Sequence, residues 1–335
     1  MNFWNEMKKP ILCLAPMSDV TDAAFRFIIA KYSKSNYVTY TEFVSADGLV
    51  KAPEAGRRKL LKDLEYSEIE RPIVAQFFTN KPEMMEKAAQ LAVELGFDGI
   101  DINMGCPDKS IEKQGAGATL MKNSKLAREI IAAAKQGAKN KIPISVKTRL
   151  GYNKDELETW LPEILTENPA AIVIHARTRK EMSKVPARWE RIKRAVEIRN
   201  EVAENNFLRS QDASHISLRE YSQPLIIGNG DVADTDDARK KCEKTGADGA
   251  MLGRAIFGNP WLFADYQPIS EEKLQVLMEH TKLFEEKFKG IKSFAIMKKH
   301  FKEYLKDLNL RDLRFKLMRT ESAEEVEKII KDYLS

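Results

Sequence analysis

The chain has 335 residues, with 55 Lys and Arg against 50 Asp and Glu, a formal net charge of +5, and 43% hydrophobic and 31% charged residues. That balance belongs to a soluble globular protein with room for one large domain and a small one. It excludes a membrane span, for which no apolar run approaches the roughly 18 residues required. Met1–Pro10 lacks the apolar stretch of a secretory signal. Cys13, Cys106 and Cys242 lie far apart with no metal-ligand spacing, so neither a metal nor a disulfide framework is expected, and the expected setting is a reducing compartment, the cytoplasm.

In chain order, eight short runs have the composition of strands: Ile11–Ala15, Val38–Phe43, Pro72–Phe78, Gly99–Met104, Ile144–Leu150, Ala171–His175, Leu225–Gly228 and Ala250–Gly253. Most are apolar on both faces, as strands of a buried parallel sheet are. Helical patterns separate them. Over Lys81–Leu95, Met84, Met85, Ala88, Leu91, Ala92 and Leu95 form one stripe, with Pro82 in the first turn. Asn123–Gln136 and Asp234–Thr245 repeat the pattern. The alternation predicts an α/β TIM (β/α)8 barrel. The rival, an open doubly wound sheet, usually places Gly-x-Gly-x-x-Gly after its first strand, and Ala15-Pro16-Met17-Ser18-Asp19 has none. Between Trp189 and Gln223 the connection is too long for one crossover helix. Arg191–Glu204 accounts for the helix, and Asn205–Gln223 is left as a polar surface extension. After Pro268 only helical periodicity remains. The expected division is a barrel over residues 1–268 and a small all-helical domain over 269–335.

Active sites of TIM barrels lie at the C-terminal strand ends. The polar residues there are Ser18 after Pro16 and Met17, Glu42, Gln76, Asn103, Cys106, Lys147, Arg149, His175, Arg177, the run Asn229-Gly230-Asp231, and Gly253-Arg254. The most informative stretch is Asp101-Ile-Asn-Met-Gly-Cys-Pro107, where a strand hands over to the loop Asp108–Ala118. Gly115 and Gly117 lead one to expect that loop to move. A thiol there suits chemistry, and with an unperturbed pKa near roughly 8.5 it is mostly protonated at neutral pH. Taken alone, Cys106 also fits a small buried hydrophobe. Lys147 stands in an apolar strand, where a charge is costly unless it is paired or faces a ligand. Its partner is either a barrel carboxylate such as Asp101 or Glu42, or a bound group. Glycines at the ends of the last two strands allow close backbone approach to a phosphate, and Arg254 adds a charge-assisted bond. Together they point to a phosphorylated cofactor. Lys147 would then offset the negative charge of a reduced isoalloxazine ring.

At this point the residues resemble the tRNA-dihydrouridine synthase family. The resemblance rests on Ala15-Pro-Met-Ser-Asp-Val-Thr-Asp-Ala-Ala-Phe-Arg26, Asp101-Ile-Asn-Met-Gly-Cys-Pro107, Gly115-Ala-Gly-Ala118, Val146-Lys-Thr-Arg149, His175-Ala-Arg-Thr178, Gly228-Asn-Gly-Asp231 and Gly253-Arg254, in that order. It implies an FMN-dependent barrel with a C-terminal helical domain, reducing particular uridines of tRNA with NADPH as reductant. On matching positions it implies that Cys106 is the proton donor. Pro16, Met17 and Ser18 would lie along the flavin ring, and Gln76 and Lys147 at its pyrimidine side. His175 would face flavin and substrate. Asn229, Gly230, Asp231, Gly253 and Arg254 would cradle the phosphate, and Asn103 and Arg177 would lie near the base or RNA. Ser18 stands where many relatives carry Ala.

Hydride addition at C6 of uracil with a proton to C5 from the opposite face would need a thiol within about 3–3.5 Å, and the base turned out of the folded RNA. Basic residues cluster accordingly. Arg177–Arg194 holds eight Lys or Arg against two acids, and Lys287–Arg319 eleven against three. Arg149, Arg179, Lys298, Lys299 and Lys302 are therefore RNA-facing candidates. Phe294, Phe301, Tyr304 and Phe315, interleaved with the second cluster, read as core. A small-molecule FMN barrel of the dihydroorotate or dihydropyrimidine dehydrogenase kind is the alternative, but it leaves the basic helical domain unexplained. An RNA-binding barrel without catalysis is a third reading, against which Cys106 and Lys147 count. The expected partners are tRNA and NADPH, with no membrane and no metal, for a monomer.

Overall fold

The computed structural model describes residues 2–33, 36–209, 223–264, 266–306, 308 and 310–335, without the side chains of 206–209. Eight strands form one parallel sheet: β1 (Ile11–Leu14), β2 (Thr39–Ser45), β3 (Ile73–Phe78), β4 (Gly99–Asn103), β5 (Ile144–Arg149), β6 (Ala171–His175), β7 (Leu225–Asn229) and β8 (Gly249–Leu252). Neighbours follow in sequence from β2 to β8, and β8 pairs with β1. The ring closes where Leu14 N donates to Val38 O at 2.9 Å and Val38 N to Leu12 O at 2.8 Å. This is the expected TIM barrel, with each strand within two residues of its predicted limits.

Strand side chains alternate between two apolar layers. Ile11, Cys13, Tyr40, Val74, Val173, Ile227 and Met251 point inward and form a barrel core with Trp4. Leu12, Leu14, Ile102, Val146 and Ile226 point outward into the layer shared with the helices. The two-residue period continues up each strand, so the row Val74 leads to Gln76, Val173 to His175, and Ile227 to Asn229. Polar residues at these positions therefore share the space above one apolar plug.

The predicted helices form with their signals in place. Pro82–Glu94 starts on its proline, Asn123 caps Ser124–Ala138 through Leu126 N, and Asp234 caps Thr235–Thr245 through Asp237 N. The helix after β6 runs from Trp189 to Arg209, five residues past its predicted end. Of the rest of the predicted extension, 210–222 lies outside the described residues. The Asp108–Ala118 loop, expected to move, is built from a helix at Lys109–Lys113 and leads into a 3-10 turn at Gly117–Lys122.

Helices Ser270–Phe288, Met297–Tyr304, Arg311–Leu317 and Ala323–Leu334 follow. They share one apolar cluster with the barrel's outer layer, through Leu274, Leu277, Phe284 and Phe301 among others. Phe25, on the barrel helix Ala23–Ser33, stacks on His280 at 4.9 Å and meets His300 edge-on at 4.7 Å. Lys292 reaches Glu42 of β2 at 2.7 Å and Asp63 at 2.8 Å.

Candidate active site

A cavity of about 880 Å³ opens above the C-terminal strand ends. Pro16, Met17, Gln76, Asn103, Cys106 and Lys147 line one part of it, and Arg149, His175, Arg177, Asn229, Gly230, Asp231, Gly253 and Arg254 the other. Ser18, Arg179, Lys298, Lys299 and Lys302 are not in the wall.

One side is held by a buried chain of hydrogen bonds. Ser145 Oγ donates to Asp101 Oδ1 at 2.6 Å, and Gln76 Nε2 to Asp101 Oδ2 at 2.6 Å. Asn103 Nδ2 donates to Gln76 Oε1 at 3.1 Å, and Asn103 Oδ1 accepts from Gly105 N at 3.1 Å and Cys106 N at 2.9 Å. Asn103 and Gln76 therefore spend their amides on placing Cys106. Gly117, at φ +60°, lets Ala118 N reach Cys106 O at 3.0 Å; a Cβ on Gly117 would lie 2.9 Å from that oxygen. Burial pushes the Cys106 thiol above its ordinary pKa, outweighing the pull of Arg149 and Lys147. The thiol stays protonated at neutral pH.

Lys147 reaches no carboxylate among the described residues. Glu42 is taken by Lys292, and Asp101 by Ser145 and Gln76. Its Nζ contacts Asn229 Oδ1 at 3.3 Å. Burial, then Arg149, lowers its pKa to about 8. That leaves a cation facing the cavity with donors to spare.

The opposite side is cationic. Arg177 donates to Val185 O at 2.5 Å, to Asp231 Oδ2 at 2.5 Å and to His175 Nε2 at 3.1 Å. Arg254 bonds Asp231 Oδ1 at 2.6 Å. Burial, followed by the Arg149, Lys147 and Arg177 cations, drives His175 far below its usual range, so it is neutral. Since Nε2 accepts from Arg177, the ring proton belongs on Nδ1. Gly230 has φ +116°, and a Cβ there would lie 2.9 Å from Ala187 Cβ and 3.0 Å from His175 Cδ2. Among the described residues the N–H groups of Gly230 and Gly253 have no protein acceptor.

Two groups of wall residues were missed. Phe43 and Phe257 add apolar surface, and Glu303 and Lys306 come from the end of helix Met297–Tyr304 and the turn after it. No local pattern marks the latter pair, because their place depends on how the helices dock on the barrel.

The two basic clusters are thinner in space than in sequence. Arg188 pairs with Glu181, Arg191 with Asp155 and Glu158, and Arg194 with Glu158, Glu197 and Glu201. Lys298 pairs with Glu321 at 2.8 Å, and Lys299 lies 3.6 Å from Asp19. Lys289, Lys302, Lys306, Arg311, Arg314, Lys316 and Arg319 are exposed and carry no ion pair among the described residues. Phe315, expected in the core, is 59% exposed, with the Arg319 guanidinium 3.9 Å from its ring centroid.

The family model described as "Dihydrouridine synthase (Dus)" matches residues 13–203 and 216–334. A curated "Probable tRNA-dihydrouridine synthase" of Staphylococcus aureus (strain COL) is 37% identical over 338 residues, covering 99% of this chain and 95% of the relative. "Probable tRNA-dihydrouridine synthase 2" of Bacillus subtilis (strain 168) is 38% identical over 338 residues, covering 99% and 96%. Among solved structures, "Morphinone reductase" aligns with a TM-score of 0.49 and 12% identity, over 75% of this chain and 84% of that one. The matched spans run from the Cys13 strand through the C-terminal helices, and they make this chain a member of the dihydrouridine synthase family.

Proposed function

We propose that this chain reduces particular uridines of tRNA to 5,6-dihydrouridine, holding FMN in the barrel pocket and drawing electrons from NADPH. The observation that carries the reading is one cavity holding a protonated thiol, an uncompensated buried lysine and two glycine strand ends with free N–H groups. The family supplies dihydrouridine synthesis, and the relatives' names supply tRNA as the substrate.

These residues fit FMN. The free N–H groups at Gly230 and Gly253 and the Arg254 guanidinium suit its phosphate, and Lys147 suits the side of its ring that gains negative charge. Bound and reduced, FMN would supply a hydride to C6 of the uracil 5,6 double bond. Cys106 delivers its Sγ proton to C5, and solvent reprotonates the thiolate left behind. Asn103 and Gly117 hold that thiol in place through the backbone of Cys106. His175 is neutral, so it lines the pocket without adding charge.

The purified protein is expected to be yellow, with one FMN per chain. A colourless preparation that takes up no supplied FMN would overturn the cofactor assignment. Lys147→Ala should lower FMN content or the rate of flavin reduction by NADPH; normal values for both would remove Lys147 from that role. The uridine assignment is tested by mapping dihydrouridine mass in tRNA from cells lacking and regaining this chain.

RNA docking is assigned to the exposed cations beyond Lys289. Charge reversal at Lys302, Arg314 and Lys316 should weaken tRNA binding and flatten its salt dependence, by about 0.9 in the log–log slope for each duplex phosphate left without its cation. NADPH consumption with an artificial electron acceptor should not change. Unaltered tRNA affinity and slope would leave these exposed cations merely solvated.

A further inference from the structure

Arg179, expected to face RNA, is committed elsewhere. It lies in the loop after β6, where its Nε donates to Glu112 Oε1 at 2.6 Å and its Nη2 to Glu112 Oε2. The pair is bidentate, the strongest geometry open to an arginine and a carboxylate. The Glu112 side chain is only 10% exposed and that of Arg179 24%. The guanidinium also lies 5.0 Å from the Tyr152 ring centroid, and the Lys122 ammonium 3.7 Å from the same ring. Arg179 N donates to Gly151 O, and Lys180 N to Tyr152 O, each at 2.9 Å.

Glu112 belongs to helix Lys109–Lys113, in the loop that begins with Cys106. Tyr152 follows β5. The ion pair joins the loops after β4 and β6, and the contacts with Gly151 and Tyr152 tie in the loop after β5. A second arginine braces the same loops from below: Arg149 Nε donates to Gly105 O at 2.7 Å, and its Nη1 to Thr178 O at 3.3 Å. Neither Glu112 nor Arg179 lines the cavity. Their effect on it passes through the position of the Cys106 loop.

We propose that the Glu112–Arg179 pair is a latch that holds the Cys106 loop over the pocket, which makes both of them positioning residues for the proton-transfer step. This rests on the reading of Cys106 as proton donor. Proton transfer needs the donor within about 3–3.5 Å of carbon, so a loop freed at its outer edge loses turnover while substrate binding persists.

The test uses the full-length flavoprotein, with Arg179→Ala, Glu112→Ala, the double variant and the charge swap Arg179→Glu with Glu112→Arg. Each single variant should lower kcat for uridine reduction roughly tenfold, the scale of one charge-assisted bond, at unchanged KM for tRNA. The double variant should lose no more than either single one, and the swap should recover part of the loss. Iodoacetamide should alkylate Cys106 faster in both single variants; Cys13 and Cys242 are buried and stay silent. Flavin reduction by NADPH should not change. Two results overturn the latch: losses that multiply in the double variant, or a silent Glu112→Ala beside an Arg179→Ala that raises KM for tRNA and flattens its salt slope. The second would make Arg179 an RNA ligand. If the wild-type chain forms no dihydrouridine, the uridine reading fails, and Cys106 alkylation still decides the latch because it needs no RNA.

Discussion

Cys106→Ala is expected to slow uridine reduction by about 10²–10⁴-fold, the range associated with losing a general acid, and to leave NADPH reduction of the flavin at the wild-type rate. The split follows from where Cys106 sits. Its thiol lines the cavity, but its backbone is pinned by Asn103 Oδ1 and Ala118 N, so removing Sγ leaves the loop in place. Lys147 and the glycine strand ends are untouched, and flavin binding should survive. The pH dependence adds a second test. Burial raises the Cys106 pKa, so the proton-bearing form persists to higher pH than for a free thiol near 8.5. Uridine reduction should fall as pH rises through that raised value, a limb separate from the loss of the Lys147 charge near pH 8. In Cys106→Ala this alkaline fall should vanish. A variant that modifies tRNA at the wild-type rate would show that the proton comes from elsewhere.

Much of the barrel was legible because parallel strands covered on both faces read as apolar runs, and residues such as Lys147 and Gln76 stand out inside them. The site was legible for the same reason: a polar residue two positions above an inward apolar one has little place to go except the cavity. Charge was less legible. A count along the chain treats Lys292 and Arg179 as free cations. The fold brings Glu42 and Asp63 to the first and Glu112 to the second, from up to 250 residues away. Phe315 failed for a simpler reason. Leu313 and Leu317 are four apart on one helical face and are buried, which places residue 315 about 200° from Leu313, facing solvent. Glu303 and Lys306 lacked any signal, since a pocket wall contributed by a helix docked across the barrel depends on contacts that no local period encodes.

Arg26→Met is expected to lower unfolding stability by about 3–5 kcal/mol, the cost of breaking a buried ion pair from one side. Arg26 closes the first motif of the chain, yet it does not line the cavity. Its side chain is 0% exposed, and Nε donates to Glu70 Oε2 at 2.8 Å, with Glu70 1% exposed. Nη1 donates to Thr21 O at 2.8 Å, and Nη2 to Glu65 O. Methionine fills similar space but leaves the Glu70 carboxylate and two backbone carbonyls without their donor. The damage should reach the site, because Thr21 Oγ1 accepts from Met17 N at 2.9 Å and Met17 is in the cavity wall. It should reach the C-terminal helices too, since Phe25 packs on His280 and His300 from the same helix. Denaturant unfolding checks the magnitude, and Arg26→Met combined with Glu70→Leu checks the cause. Removing both charges takes away the unpaired carboxylate, so the double variant should regain much of the loss, but not the part owed to Thr21 O and Glu65 O. A double variant no more stable than Arg26→Met would put the cost in those carbonyls and in packing. A single variant within about 1 kcal/mol of wild type, the range of an exposed pair, would show that water reaches Glu70 and that the motif's arginine does not hold this corner of the barrel.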